Sequence, residues 1–333
     1  MRIKHFFLNL NNERISMQHY HYNNLKSDKL VSIMIPTYNQ ENYIEATILS
    51  ALEQTYQNIE IIISDDCSTD RTGEIAQKYC SDKVKYYRND SNKGRVANYR
   101  LTLYERVLGD YVVNLDGDDV FVDKNFIIDA INLFKVFNEE PVCLIASRQR
   151  NDAIKTKHNI ETEYLRISGI DYVTNIQDKY IFSHLTTIYD RKLAKNLNFY
   201  SKNIISSDME SILRLALTGD VIVTQRVAGQ WNRTKNNASR NAELLESLEN
   251  HIWIDSVYEE LKKLISIKEY TNWKSRVEIK WCLPIVYQHV ILGRFRIQSI
   301  YKIFQEGHLL LMFRCVYLLL KDKIQSFINK KNV

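Results

Sequence analysis

The chain has 333 residues, of which 26% are charged and 45% hydrophobic, and its formal net charge is +5. This composition excludes a disordered chain, and the length allows one large domain with an appendage, or two domains. The small positive charge indicates no nucleic-acid partner, although it suits an anionic membrane surface.

The cysteines and the N-terminal segment favour a cytoplasmic protein. Five scattered cysteines without a C-x-x-C pair indicate neither a zinc site nor a disulfide framework. The first residues lack the pattern of a signal peptide, and no run of about 18 apolar residues predicts a membrane span. We expect residues 1–28 to form a loosely held arm.

From Leu30 onward, apolar runs typical of buried strands alternate with segments of helical periodicity. The predicted strands cover 30–38, 59–66, 83–89, 111–119 and 142–147. The predicted helices carry apolar stripes such as Ile44, Ile48, Ala51 and Leu52, and a helix capped by Thr69 or Asp70 follows the second strand. This alternation predicts an α/β fold with a mostly parallel sheet flanked by helices.

Four polar motifs stand at the carboxyl ends of predicted strands. They read "PTYN", "SDD", "NDSNKG" and "LDGDD" in chain order. Ligands of open α/β sheets bind at the carboxyl ends of the strands, so the four motifs predict a single site.

The motif "LDGDD" places Asp116, Asp118 and Asp119 within four positions. Like charges this close repel one another, and hard carboxylate oxygens suit Mg²⁺ or Mn²⁺. Gly117 leaves room for a sharp turn or a ligand. The alternative is a solvated turn, but three acids on an edge shared with other polar motifs favour a metal site.

Two further motifs offer polar contacts with alternative explanations. Asp65 and Asp66 suit hydrogen bonds to a nucleobase or a ribose, while the residues after them suit helix capping. Lys93 and Arg95 suit a diphosphate or a solvated loop. Neither G-x-G-x-x-G nor G-x-x-x-x-G-K-[ST] occurs, which weighs against a nicotinamide enzyme and an ATPase.

The ordered motifs "VSIMIPTYNQEN", "IIISDDCSTDRT", "NKGRVANYR" and "GDYVVNLDGDD" resemble glycosyltransferase family 2. The resemblance is close from Val31 to Phe121 and looser to about Ser239. It implies a GT-A fold and an inverting transfer from a UDP-sugar that uses Mn²⁺ or Mg²⁺.

The resemblance also implies roles for individual residues. The base and ribose of the nucleotide would contact Pro36, Thr37, Tyr38 and Glu41, and Asp66 would contact the uracil. The nucleotide pocket would be lined by Lys93, Gly94 and Arg95. The metal and the diphosphate would be held by Asp116 and Asp118, on either side of Gly117.

The general base of the family corresponds to Asp208 in "ISSDMESILRLALTGD", where Ser207 replaces the preceding Glu of the family. Ser207 and Glu210 have the spacing of a capping box, and Gly219 is expected to end the helix. Asp208 then starts the helix, whose dipole keeps a carboxylate ionised. The alternative is that Asp208 merely stabilises the helix.

The segment 230–239 resembles the part of the family that closes over the donor phosphates. Thr234 stands where the family often has His, which puts a metal contact from this loop in doubt, and Arg233 is the candidate for the diphosphate. The Q-x-x-R-W motif is missing, which favours single transfers. His184 either faces the acceptor or is structural.

The expected organisation is an arm at 1–28, a GT-A catalytic domain at 29–240 and a helical region at 241–333. The catalytic domain divides into a nucleotide-sugar half at about 29–121 and an acceptor half at about 122–240. The apolar, lysine-flanked tail 307–331 suits either an anionic membrane surface or docking on the domain or on another subunit in a homo-oligomer.

The expected function is transfer of a hexose or N-acetylhexosamine from a UDP-sugar to a saccharide hydroxyl, free or lipid-linked, in bacterial surface polysaccharide synthesis. One alternative is a non-catalytic nucleotide-sugar binding protein, which the changes at Ser207 and Thr234 permit. Another is a sugar nucleotidyltransferase, although "PTYNQEN" lacks the Gly-rich phosphate loop of that class.

Overall fold

The computed structural model describes residues 13–16, 28–136, 141–150, 163–176, 178–234, 244–286 and 317. The described residues up to Phe199, together with Leu215–Thr234, form one compact unit. The described residues of Tyr200–Arg214 and of the chain after Thr234 form a second unit.

The first unit contains a sheet of ten described strands. The strands are β1 (Glu13–Ser16), β2 (Val31–Thr37), β3 (Ile59–Asp65), β4 (Val84–Arg88), β5 (Tyr111–Asn114), β6 (Val120–Phe121), β7 (Cys143–Arg150), β8 (Glu163–Ser168), β9 (Thr187–Asp190) and β10 (Asp220–Trp231). Their order is β1-β8-β10-β7-β9-β5-β2-β3-β4, and β6 pairs with β10.

The described helices alternate with these strands and then follow them. They are α1 (Ile44–Leu52), α2 (Thr72–Gln77), α3 (Arg95–Leu101), α4 (Phe126–Val136), α5 (Gly169–Thr174), α6 (Arg191–Asn196), α7 (Ser207–Ala216), α8 (Leu244–Glu249), α9 (Ile252–Leu261) and α10 (Ile267–Val286). A π-helical turn, Thr102–Arg106, continues α3. Asp70, one of the two predicted caps of α2, accepts the N–H of Thr72 at 2.9 Å.

The parallel part of the sheet is formed by β5, β2, β3 and β4, the strands predicted from apolar runs. Every residue of β2 and β3 is buried, because helices cover both faces of a parallel sheet. The predicted α/β fold is therefore confirmed.

Antiparallel pairs complete the sheet and make it mixed. β9 lies antiparallel to both β5 and β7, and β8 lies antiparallel to β10, whereas β10 and β7 are parallel. The apolar stripe Ile127, Ile131 and Phe134 of α4 is buried in the core, as its spacing predicts.

The segment expected to be a loose arm contains a strand. β1 pairs antiparallel with β8, with Glu13 opposite Arg166 and Ser16 opposite Glu163. Backbone hydrogen bonds to a sheet edge thus hold part of the segment, which its polar composition did not indicate.

The second unit contains α8, α9 and α10 with buried apolar residues such as Trp253 and Trp273. α10 contains Pro284 near its described end at Val286. Apart from Tyr317, the tail 307–331 lies outside the described residues. Among the residues described, no helix has both the length and the apolar composition needed to cross a bilayer.

Candidate active site

The polar motifs after β2, β3, β4 and β5 lie together at the carboxyl edge of the parallel strands. In the register, Thr37 lies opposite Asp65, and Asp65 lies opposite Arg88. The N–H of Leu115 donates to the carbonyl of Met34 at 2.9 Å, which continues β5 beside β2. The predicted convergence on one edge is therefore present in the first unit.

The acidic loop, Asp116 to Asp119, turns tightly against β2. The N–H of Asp119 donates to the carbonyl of Asp116 at 2.8 Å, and the N–H of Gly117 donates to the carbonyl of Pro36 at 3.1 Å. A Cβ at position 117 would lie 2.8 Å from the Cβ of buried Thr37, which cannot rotate away as the end of a flexible side chain could. Glycine is therefore required here by close approach to the protein itself.

Helix α1 fixes the acidic loop through one side chain. The hydroxyl of Thr47 lies 2.7 Å from the carbonyl oxygen of Asp119 and 3.0 Å from that of Gly117. Thr47 is fully buried. No local pattern indicates this role, since α1 carries Glu45 and Ser50 as well as Thr47 among its apolar residues.

The loop gathers negative charge in a buried place. Asp118 is 8% exposed and Asp119 is 2% exposed, while Asp116 is half-buried. Burial, followed by the charges of Asp116 and Asp118, raises the pKa of Asp119 well above its ordinary value; the N–H of Asn232 and the charge of Arg148 oppose the rise. A divalent cation would relieve this repulsion.

The donor set fits a cation that takes part of its coordination from a substrate. In the described ranges, no group of three or more His, Cys, Asp or Glu side chains is placed to hold a metal ion. Mg²⁺ usually keeps several waters and binds one or two carboxylates together with substrate phosphates. Asp116 and Asp118 are sufficient for such a site.

The loop that follows β10 contacts the acidic loop. The N–H of Asn232 donates to Asp119 Oδ1 at 2.8 Å, and its side-chain amide donates to the carbonyl of Asp118 at 2.7 Å. Thr234 Oγ1 lies 3.2 Å from Asp118 Oδ2. Thr234 thus reaches the predicted metal ligand, and Asn232 is a contact that the motifs did not reveal. Arg233 is exposed, and its diphosphate role stays a prediction.

Asp66 binds the backbone of the basic loop, Lys93 to Arg95, at the same edge of the sheet. Its Oδ1 accepts the N–H of Lys93 at 2.9 Å and the amide of Asn89 at 2.7 Å, and its Oδ2 accepts the N–H of Gly94 at 2.8 Å. Gly94 has φ +87°, a conformation that favours glycine, and Arg95 begins α3 directly after it. Contact between Asp66 and a uracil stays a prediction.

The turn after β2 is tied to the start of α2. Glu41 accepts the N–H of Arg71 at 3.0 Å and donates its own N–H to Asp70 at 3.1 Å. Thr37 is buried, whereas Tyr38 is 44% exposed. Roles of these residues at a base and ribose stay predictions.

His184 does not stand alone in a loop. It is buried, and its Nδ1 lies 3.3 Å from the side-chain nitrogen of Asn114 at the end of β5. His184 therefore lies beside the end of β5, the strand that leads into the acidic loop.

Asp208 lies in the second unit, in the first turn of α7 as predicted. The predicted capping box is wrong. Ser207 Oγ is without a hydrogen-bond partner in the described chain, and Glu210 accepts from Arg214 Nε at 2.7 Å and from Ser256 Oγ at 2.5 Å. A guanidinium one turn further along attracts this carboxylate more strongly than a neutral N–H does.

Comparison with known proteins gives a consistent result. The sequence model described as "Glycosyl transferase family 2" matches residues 32–197. An uncharacterized glycosyltransferase of Haemophilus influenzae is 33% identical over 178 residues, which is 51% of this chain and 66% of the relative. The Escherichia coli UDP-Glc:alpha-D-GlcNAc-diphosphoundecaprenol beta-1,3-glucosyltransferase WfaP is 45% identical over 94 residues, 28% of this chain and 37% of that protein.

A Bacillus subtilis protein named for teichuronic acid biosynthesis, TuaG, is 42% identical over 92 residues, 27% of this chain and 36% of that protein. The matches thus span less than two thirds of the length of these curated relatives.

Solved structures of S. aureus TarS 1–349 are similar in fold. The complex with UDP has a TM-score of 0.60 at 18% identity, covering 80% of this chain and 74% of that chain. The complex with UDP-GlcNAc has a TM-score of 0.54 at 18% identity, covering 77% and 81%. At this identity, the similarity concerns the fold.

Proposed function

Since the chain belongs to glycosyltransferase family 2 through residues 32–197 and has the GT-A fold, we propose that it is an inverting, metal-dependent glycosyltransferase. It moves a hexose or N-acetylhexosamine from a UDP-sugar to a hydroxyl of a saccharide acceptor. The observation that carries the proposal is the buried acidic loop at the carboxyl edge of the sheet, where burial and the charges of Asp116 and Asp118 raise the pKa of Asp119.

The names of similar proteins support the donor and the setting. WfaP is named for UDP-Glc and for an acceptor carried on diphosphoundecaprenol, and TuaG for teichuronic acid. TarS was crystallised with UDP and with UDP-GlcNAc. From these names we infer that this chain uses a UDP-sugar donor and a free or lipid-linked saccharide acceptor. We place the reaction in bacterial surface polysaccharide synthesis, on the cytoplasmic side.

On the donor side, Asp116 and Asp118 would hold Mn²⁺ or Mg²⁺, with Gly117 allowing the turn between them. The cation, when bound, neutralises charge that grows on the departing diphosphate. Asp66 keeps Lys93 and Gly94 in a fixed loop through their N–H groups. The nucleotide would therefore bind beside a loop whose backbone is already held by hydrogen bonds to Asp66.

On the acceptor side, Asp208 removes the proton of the acceptor hydroxyl. The hydroxyl oxygen forms the new bond to the anomeric carbon while the bond to the UDP oxygen breaks. Attack from the face opposite the leaving group inverts the anomeric centre, as in the inverting glycosidases.

The test is a panel of UDP-sugars, assayed for UDP release with and without Mn²⁺ and acceptor. We expect release with one class of donor, dependent on the cation and increased by acceptor. Asp118→Ala should abolish transfer and metal-dependent UDP binding, while Asp82→Ala, a change of an exposed acid, should leave both intact.

Two results would contradict the proposal. Full metal-dependent UDP binding in Asp118→Ala would exclude the acidic loop as the metal site. UDP binding without any UDP release, across donors and acceptors, would instead identify a non-catalytic nucleotide-sugar binding protein.

A further inference from the structure

The carboxylate of Asp116 is held through one of its two oxygens. Tyr99 Oη donates to Asp116 Oδ1 at 2.7 Å, and Asn114 Nδ2 donates to the same oxygen at 2.8 Å. Within the described chain, no group donates a hydrogen bond to Oδ2. Asp116 is half-buried, so the side chain is fixed from the protein interior while one oxygen stays available to a ligand.

The two donors belong to a buried polar cluster with His184. Tyr99, Asn114 and His184 are 2%, 0% and 8% exposed. The Asn114 amide nitrogen also lies 3.3 Å from His184 Nδ1, a hydrogen bond when the imidazole carries its proton on Nε2. The rings of Tyr99 and His184 meet edge to face, with centroids 5.5 Å apart.

This cluster is costly for a strand end. Asn114 Oδ1 is buried without a hydrogen-bond partner among the described residues. A polar atom buried without a hydrogen-bond partner destabilises the fold, and an apolar residue would continue the run of β5 without that loss. Asn114 does donate a hydrogen bond to Asp116, and this contact explains why an amide stands at this position.

We propose that Tyr99, Asn114 and His184 form a positioning network that presents Asp116 to a divalent cation. The inference rests on the proposed metal-dependent function and adds residues that the acidic motif does not contain. Carboxylates that bind metals are themselves hydrogen-bonded, and losing such a partner typically lowers metal affinity about 10- to 100-fold. His184 acts through Asn114 and does not touch the cation.

Helix α3 extends the network to the basic loop. Gly94, whose N–H is held by Asp66, directly precedes the helix, and Tyr99 lies in the same helix. The guanidinium of Arg95 lies 5.4 Å from the centre of the Tyr99 ring. The segment predicted to line the nucleotide pocket and the group that orients Asp116 thus share one short, rigid element.

The test measures Mn²⁺ binding directly. Free Mn²⁺ is followed by electron paramagnetic resonance during titration of the full chain with saturating UDP. Tyr99→Phe removes the hydroxyl and keeps the ring, and Asn114→Leu removes the second donor while keeping the branched shape of the side chain. The control is Tyr180→Phe, which removes a tyrosine–aspartate hydrogen bond of 2.6 Å to Asp171, outside the acidic loop.

We expect the dissociation constant of Mn²⁺ to rise about 10-fold or more in Tyr99→Phe and in Asn114→Leu, as for other outer-shell changes. Metal-free UDP binding should be unchanged in both, which separates positioning from general loss of structure. Tyr180→Phe should match the wild type.

Unchanged Mn²⁺ affinity in Tyr99→Phe, with tight binding in the wild type, would overturn the network and leave the proposed function in place. Equal loss of Mn²⁺ binding and metal-free UDP binding would also overturn it, since it would indicate misfolding of the site. A wild-type chain that binds no Mn²⁺ with UDP would overturn both proposals.

Discussion

Asp119 differs in its contacts from the acidic residues beside it. Its Oδ1 accepts the N–H of Asn232, its side chain is nearly fully buried, and burial with two neighbouring charges raises its pKa. A carboxylate in this position holds the loop after β10 in place. Asp116, half-buried with one oxygen accepting no described hydrogen bond, is better suited to reach a cation.

Asp208→Asn is the residue-scale prediction for catalysis. The amide keeps the shape of the side chain but cannot take a proton, so transfer should fall by about 10²-fold or more. UDP binding should persist, because the predicted donor ligands are other residues. The measurement compares turnover with UDP affinity in the same preparations.

The matched control is Asp171→Asn, another acid in the first turn of a helix. It should retain turnover, since a general effect on helix starts would act on both variants. Normal turnover in Asp208→Asn would mean that another residue is the base.

At the scale of elements, the acidic loop is held by helices and strands from three parts of the first unit. Thr47 of α1 binds the loop's carbonyls, Tyr99 of α3 binds Asp116, and Asn232 after β10 binds Asp119. Arg226 of β10 forms ion pairs with Asp123 and Asp129, which fixes β10 beside α4. These contacts therefore tie the acidic loop to α1, to α3 and to the segment after β10.

A pH-dependent contact joins α9 and α10 in the second unit. His251 Nδ1 lies 3.0 Å from Asp255, and Nε2 lies 3.3 Å from Glu278; Lys274 also contacts Asp255, at 2.6 Å. Burial alone lowers the pKa of His251, but hydrogen bonds and charge from Asp255 and Glu278 outweigh it and raise the pKa to about 9. The imidazole is therefore charged at neutral pH.

Because this pKa is raised on folding, the stabilisation should be fully present below about pH 6.5 and lost as the pH rises through about 9. We expect His251→Gln to lower the free energy of unfolding by about 1–3 kcal/mol at pH 6 and by much less at pH 10, after allowance for the half-exposed Asp255. Urea unfolding followed by tryptophan fluorescence measures this, since Trp253, Trp273 and Trp281 all lie in the second unit. An equal difference at both pH values would contradict it.

At the scale of the whole molecule, the predicted donor residues and the predicted base belong to different compact units. The acidic loop, the basic loop and the turn after β2 lie in the first unit, and Asp208 lies in the second. Substitutions in the first unit therefore test donor binding, whereas substitution of Asp208 in the second unit tests transfer.

Ligand binding should stabilise the chain against heat. UDP with Mn²⁺, at about 100 times the dissociation constant, adds about 2.7 kcal/mol to the bound fold, or about 5 °C in melting temperature. Scanning calorimetry with UDP alone, Mn²⁺ alone and both measures the effect. The gain from Mn²⁺ in the presence of UDP should vanish in Asp118→Ala, and its absence in the wild type would contradict the metal proposal.

The sequence determined the parallel strands, the helices between them, the acidic and basic motifs at their ends and the family. These features depend on local patterns: apolar runs make buried strands, and parallel strands bring their carboxyl ends to one edge. The tertiary structure decided the antiparallel half of the sheet and the side chains that hold the acidic loop. Thr47, Tyr99, Asn114 and Asn232 have no local signature.

The separations in sequence explain this division. Thr47 and Asn232 reach Asp119 across 72 and 113 positions. The failed capping box at Ser207 shows the same limit at short range, since Ser256, from another helix, competes for Glu210. Polar side chains take the partners that packing brings near, and packing is a property of the assembled chain.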